Sequence, residues 1–348
     1  MPVSIVGGRS SGKSVFVALL INSAINYSVS KKNYFRVYRD PATCTVTGEM
    51  LSSLKNSLWP PATIKGSLLE YSFSFGYSNV LTRALLGLKE GVGKQVGKIV
   101  EKQVSRGELF NTVTFKLIDI AGEDVEMLSR FLEESKSSGV PFSDDVAPSL
   151  QKALGSDVIV FLIDSEKITA DRNDPRYKEM LAYDIIMSTL ISYVSQHRTS
   201  YEKEAKPLYP VFILTKFDAI DPIIRKGQGL QDNYVQWIEK LSDDRSIRKK
   251  FFNSFMNTFF RGTLSSIFGS SLVGTELEDA PIFISYTQTE LNEDGILVPK
   301  VVKRGQANEI LYSESEYTSF ISYFGKIANK ISDKKNPEGE SQAAVGVG

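Results

Sequence analysis

The chain has 348 residues, enough for one large domain or two, with 42% hydrophobic and 24% charged residues, an ordinary balance for a soluble globular protein. Forty-one Lys and Arg offset forty-one Asp and Glu, so zero net charge gives no global case for a nucleic-acid partner. The lone cysteine, Cys44, excludes an internal disulfide and a Cys-rich metal site, and the lone His197, between Gln196 and Arg198, reads as a solvated helix end.

The chain opens on a short apolar run, residues 3–6, that reads as a buried strand. Gly7-Gly8-Arg9-Ser10-Ser11-Gly12-Lys13-Ser14 follows and fits G-x-x-x-x-G-K-[ST]. A helical pattern begins at once, over 14–23, which completes the strand–loop–helix setting that a phosphate-cradling loop needs. Glycine lets the backbone curl so that successive N–H groups face an anion, and the helix adds its positive end. Lys13 is placed to reach the β- and γ-phosphates, and the Ser14 hydroxyl to bind Mg²⁺. The N-terminus lacks the basic region and apolar core of a signal peptide, and no apolar run is long enough to span a membrane, so the expected location is cytoplasmic.

Residues 68–75 alternate polar and apolar, as an edge strand does. The stretch 76–111 is too long for a simple connection and reads as an insertion. Within it, 80–104 is an amphipathic pattern with Leu81, Leu85, Leu88, Val92, Val96 and Ile99 in one stripe and lysines in excess. The readings for it are docking on its own domain, association with a partner or a second copy, and, last, a membrane surface. Residues 114–118 read as a strand that leads into Asp119-Ile120-Ala121-Gly122. An Asp at such a strand end holds Mg²⁺ through water, and a Gly three residues on offers its N–H to the γ-phosphate. A helical pattern covers 124–135, a strand 157–163 and a helix 177–194.

Residues 211–214 form another apolar run, leading into Thr215-Lys216-Phe217-Asp218. A carboxylate here can accept both the N1 and N2 hydrogens of guanine, a donor pair that adenine lacks. The Lys216 stem can cover one face of the base. A second insertion spans about 225–280; it holds a helical pattern at 234–241 and the helically spaced Phe251, Phe252, Phe255, Phe259 and Phe260, which read as core. Residues 281–284 form a strand that ends in Ser285-Tyr286-Thr287, whose backbone N–H groups are placed by their order in the chain to meet guanine O6. A third insertion, 291–311, reads as a hairpin or loop, and a last amphipathic helix covers 317–331. The tail, 333–348, reads as disordered. Strands alternating with helices imply a doubly wound, mostly parallel α/β sheet in one domain over 1–332, with ligands at the carboxyl ends of the strands.

Four segments in this order resemble the Ras-like P-loop GTPases. Gly7 to Ser14 matches the phosphate loop, Asp119 to Gly122 the D-x-x-G switch motif, and Thr215 to Asp218 the [NT]-K-x-D motif. Ser285-Tyr286-Thr287 departs from the usual S-A-K. The resemblance implies a GTP/GDP site with Mg²⁺, switch loops that report the γ-phosphate to a protein partner, and a switch threonine ahead of the second strand. Thr43, Thr45, Thr47 and Thr63 are candidates; Thr63, in Trp59-Pro60-Pro61-Ala62-Thr63, sits best in order. The W-P-P-x-T run with D-x-A-G-E also looks like the prokaryotic double-GTPase proteins. Two departures bear on catalysis: Glu123 stands where Ras carries a Gln, and Arg9 where Ras carries a small Gly. Arg9 either reaches the γ-phosphate as an internal arginine finger or points to solvent. The expectation is a slow GTPase, with a non-hydrolysing GTP-binding scaffold and a P-loop ATPase as alternatives.

Overall fold

The computed structural model describes residues 1–8, 11–31, 34–60, 72–78, 110–119, 155–201, 206–227, 234–273, 281–305 and 307–335. The chain is an α/β protein built on a seven-stranded, mostly parallel sheet of the kind found in Rossmann-like and P-loop folds. Strand β1 (Pro2–Gly7) leads into helix α1 (Lys13–Ser30), and β2 (Phe35–Arg39) into α2 (Pro41–Lys55). Strands β3 (Ser72–Ser78), β4 (Phe110–Asp119) and β5 (Val158–Asp164) follow, then α3 (Arg176–Tyr201) and β6 (Tyr209–Thr215). Four helices come next: α4 (Pro222–Gly227), α5 (Tyr234–Asp243), α6 (Arg245–Phe259) and α7 (Arg261–Gly269). After β7 (Ile282–Ile284) come two short antiparallel pairs, β8 (Thr289–Leu291) with β9 (Leu297–Pro299) and β10 (Val301–Arg304) with β11 (Ala307–Ile310). Helix α8 (Glu314–Lys335) closes the described chain.

The sheet order is β2-β3-β4-β1-β5-β6-β7. Strands β4, β1, β5, β6 and β7 run parallel, β3 runs antiparallel to β4, and β2 antiparallel to β3. The central strands are continuous apolar runs because both faces are covered: all seven residues of β5 and of β6 are buried. Their side chains alternate between two cores. Ile159, Phe161, Phe212 and Ile284 join a cluster with α3, α6 and α7, whereas Val158, Val160, Val211 and Phe283 join one with α1 and α8.

Three expectations need correction. Residues 68–75 were expected to hold the edge strand, but β3 covers Ser72–Ser78 and lies inside the sheet, paired on both sides. The edge is β2, whose two arginines and open outer face give it little of a strand's apolar signature in sequence. The expected insertion at 76–111 is shorter, since β3 runs to Ser78 and β4 starts at Phe110. The tail expected from 333 is still helical at Lys335. The helix expected at 124–135 and the amphipathic stretch at 80–104 lie outside the described residues. No helix among the described residues is long and apolar enough to cross a membrane.

The expected insertion at 225–280 belongs to the main core. Phe251, Phe252, Phe255, Phe259 and Phe260 are all buried, and Phe252 packs 6.1 Å from the Phe212 ring of β6. A buried ion pair locks this unit to the sheet edge. Arg248 of α6 donates to Glu316 of α8 at 2.6 and 3.0 Å and to the Ile282 carbonyl at 2.6 Å. Glu316 also accepts from the Ile284 N–H at 2.8 Å. Both side chains are nearly solvent-free, so removing one charge strands the other. Glu316→Gln should therefore lower the unfolding free energy by about 3 kcal/mol in urea titration. Replacing both members with apolar residues of like volume should recover most of that loss.

Candidate functional site

Parallel strands deliver their carboxyl ends to one edge of the sheet, and the register brings the expected site residues together there. Gly7 of β1 lies opposite Asp119 of β4, and Asp164 of β5 opposite Thr215 of β6. The loop after β1 turns on Gly12, whose φ of 76° is left-handed and suits glycine. Gly7 has its own constraint: a Cβ there would meet Ser11 Oγ at 2.6 Å and Leu162 Cβ at 3.0 Å. The α1 N-terminus has no side-chain cap and no acidic residue in its first turn, which leaves the helix end unneutralised, as an anion site requires. Lys13 folds back over this loop, and its ammonium donates to the Gly7 carbonyl at 2.9 Å and the Gly8 carbonyl at 2.7 Å. Ser11 Oγ is buried in the loop without a hydrogen-bond partner. Ser14 is the second residue of α1. Arg9 and Ser10 lie outside the described residues.

The loop after β6 touches the loop after β1. Thr215 Oγ1 lies 2.8 Å from the Ser11 carbonyl and 3.0 Å from that of Ile163. One hydroxyl thus stitches the first loop, the β5 end and the second loop across 204 residues of sequence. Asp218 follows in a short 3₁₀ turn and is half-buried. Burial pushes its carboxyl up to about 6, and the negative Glu166 adds to the rise. Lys216 sits in the left-handed region, with φ 50° and ψ 41°. Its ammonium lies 2.8 Å from Asp164 and 2.9 Å from Glu166. Burial works against that charge, but the two carboxylates outweigh it and raise the pKa. Tyr183 of α3 approaches from the other side: a Cβ on Gly8 would lie 3.6 Å from its hydroxyl. Burial raises the Tyr183 pKa, and the Asp164 charge raises it further.

Several expected members do not join the site. The N–H groups of Ser285 and Tyr286 already donate, to the Leu214 carbonyl at 2.8 Å and to Ser313 Oγ at 3.2 Å. Both residues are buried, and Ser285 Oγ pairs with the Tyr317 hydroxyl at 2.6 Å. The O6 contact assigned to them is therefore corrected: where β7 ends, its amides are consumed by β6 and by the turn into α8. Thr43, Thr45 and Thr47 lie on α2, and their hydroxyls bond to Asp40, Pro41 and Thr43. Thr63, Gly122 and Glu123 lie outside the described residues, and Asp119 is placed by its strand alone. Pro60 ends the described part of the segment toward Thr63, and the Trp59 indole N–H beside it donates to the Leu297 carbonyl of β9 at 2.9 Å.

Among the described residues no three His, Cys, Asp or Glu gather as a metal cluster. Ser14 and Asp119 would hold Mg²⁺ together with phosphate oxygens and water, and the ion would supply charge neutralisation at the phosphates. Asp164 and Tyr183 were not singled out in the sequence. The available signal was a carboxylate placed directly after the fully apolar run of β5. No protein family matches the chain, and no curated protein matches its sequence.

Asp218 also gives the site a pH dependence. Were Asp218 to read guanine, its carboxylate would have to be ionised to accept two N–H groups, and burial pushes this carboxyl up to about 6. The ratio of GDP to ADP affinity should hold above about pH 7 and fall roughly tenfold per unit below about pH 5.5. Taking the ratio cancels phosphate protonation, which is common to both nucleotides. A flat ratio in competition titrations from pH 5 to 8 would contradict this.

Proposed function

We propose that this chain is a guanine-nucleotide-binding switch with slow, Mg²⁺-dependent GTP hydrolysis, built on a doubly wound P-loop GTPase fold. The observation that carries the reading is the direct contact of Thr215 with the Ser11 carbonyl, which holds the phosphate loop against the loop bearing Asp218. In this reading Lys13 and the α1 N-terminus bind the phosphates, and Asp218 reads the guanine edge. Gly7 and Gly12 give the loop its curl, and the Gly8 carbonyl steadies Lys13. Ser14, Thr63 and Asp119 serve the metal, and Gly122 the γ-phosphate. The loops carrying Thr63 and Gly122 then report the γ-phosphate to a protein partner in the cytoplasm.

Hydrolysis is slow in this account because Glu123 would set a negative charge toward the γ-phosphate where a neutral amide would orient water better. The same residue favours a second reading, a scaffold that binds GTP and scarcely cleaves it. Single-turnover hydrolysis, measured beside nucleotide affinity, separates the two. The switch predicts slow but complete phosphate release that stops on Lys13→Met. Tight binding with no release supports the scaffold, and turnover of many per second unaided contradicts both.

A further inference from the structure

Lys216 is held in an unusual way for a residue that must lie beside a base. Its backbone is left-handed, a conformation that strains a non-glycine residue and persists only where surroundings impose it. Its ammonium turns back across the sheet to Asp164 of β5, the residue in register with Thr215 of β6. The Asp164 side chain is 1% exposed, so it needs a cation, and the Lys216 ammonium supplies one at 2.8 Å. Its other oxygen accepts from the Glu166 N–H at 3.1 Å, which fixes the carboxylate plane. Glu166, 53% exposed, meets the same ammonium from the solvent side at 2.9 Å. The Lys216 head is thus tied to β5 while its backbone caps the 3₁₀ turn that carries Asp218, two residues on.

We propose that Asp164 is a positioning residue for nucleoside recognition: its buried carboxylate anchors the Lys216 ammonium so that the lysine stem forms a fixed wall for the purine next to Asp218. Glu166 completes the anchor from the outside. The inference rests on the nucleotide-binding reading given above. A lysine free to swing would sacrifice rotamer entropy each time a base docked; one already tied down does not. Asp164 acts only through Lys216 and touches no phosphate.

A double-mutant cycle tests this on the full chain, with Asp164→Asn, Lys216→Met and the pair together. Displacement of a fluorescent GDP analogue gives the affinity for GDP, and competition with inorganic tripolyphosphate probes the phosphate loop alone. Asp164→Asn and Lys216→Met should each weaken GDP about tenfold, and the double variant should be no weaker than Lys216→Met. Tripolyphosphate affinity should not change. Should Lys216→Met unfold because it strands the buried carboxylate, the double variant, which carries no stranded charge, takes its place against Asp164→Asn. Losses that add, or that fall equally on tripolyphosphate, overturn the proposal in favour of a structural ion pair. In the nucleotide-free protein, Asp164→Asn should speed Lys216 acylation several-fold; no change would overturn the anchor itself. Wild-type protein that binds tripolyphosphate but prefers GDP to ADP in no measure would overturn the base-site reading, and this proposal with it, while leaving the acylation result standing as evidence of the ion pair.

Discussion

Asp218→Asn should weaken GDP binding by about a hundredfold or more and turn the site toward xanthine nucleotides. Guanine presents two donors on this edge, N1–H and N2–H, and a carboxylate accepts both. An asparagine offers one acceptor and one donor, so its NH₂ opposes the guanine N2–H and leaves both groups unpaired. Xanthine carries N1–H beside a C2 carbonyl, which matches the amide. Tripolyphosphate affinity should stay as in the wild type, because the phosphate loop is untouched. The same substitution should stabilise the nucleotide-free protein at neutral pH. The Asp218 carboxyl titrates at about 6 in the fold, above its ordinary value of 3.8, so its ionised form is disfavoured by folding. Its contribution to stability is therefore full below about pH 4 and lost as pH rises through about 6. The Asn variant should melt higher than wild type at pH 7, with the gap closing as pH falls to 4. Gain of stability with loss of guanine binding marks a residue kept for recognition.

Lys13→Met should cost about a hundredfold or more in affinity for GDP and for tripolyphosphate alike. In the proposed reading the ammonium would supply charge-assisted bonds to phosphate that no neutral side chain replaces. It is already oriented, tied to the Gly7 and Gly8 carbonyls at 2.9 and 2.7 Å, so little reorganisation accompanies binding. The melting temperature of the empty protein should fall only slightly, since the methionine stem retains the packing and two partly buried bonds are lost. The contrast with Asp218→Asn is the informative part. One variant spoils every phosphate ligand and the other only the guanine ones. If both lowered all ligands equally, the two loops would not divide the work as described.

Much of the frame was legible in the sequence because the parallel strands are buried on both faces. Residues 3–6, 211–214 and 281–284 stand out as apolar runs; β1 and β6 cover the first two, and β7 takes 282–284 of the third. The helices α1, α5 and α8 fall where their patterns mark them, α5 and α8 with bounds a few residues wider and α1 running seven residues further, to Ser30. The edge was misread for a physical reason. A five-residue edge strand with two arginines and only its first residue buried has little apolar signature, whereas 68–75 alternated well and drew the assignment. The Phe-rich stretch was read as core, and its rings do pack on β6. What chain order suggested but hydrogen bonding denied was the Ser285–Tyr286 contact, because amide partners contributed by Leu214 and Ser313 depend on tertiary packing. Likewise Asp164 gave no motif: its meaning comes from Lys216, 52 residues away. Pairings of this kind are invisible until the strands are in register.

The most direct measurement is an equilibrium titration of the purified chain with GDP and with ADP, each with Mg²⁺, read by calorimetry. One site per chain should take GDP at least about a hundredfold more tightly than ADP, with the melting temperature rising by mass action in GDP. Equal affinity for the two, or no heat and no thermal shift with either, would contradict it.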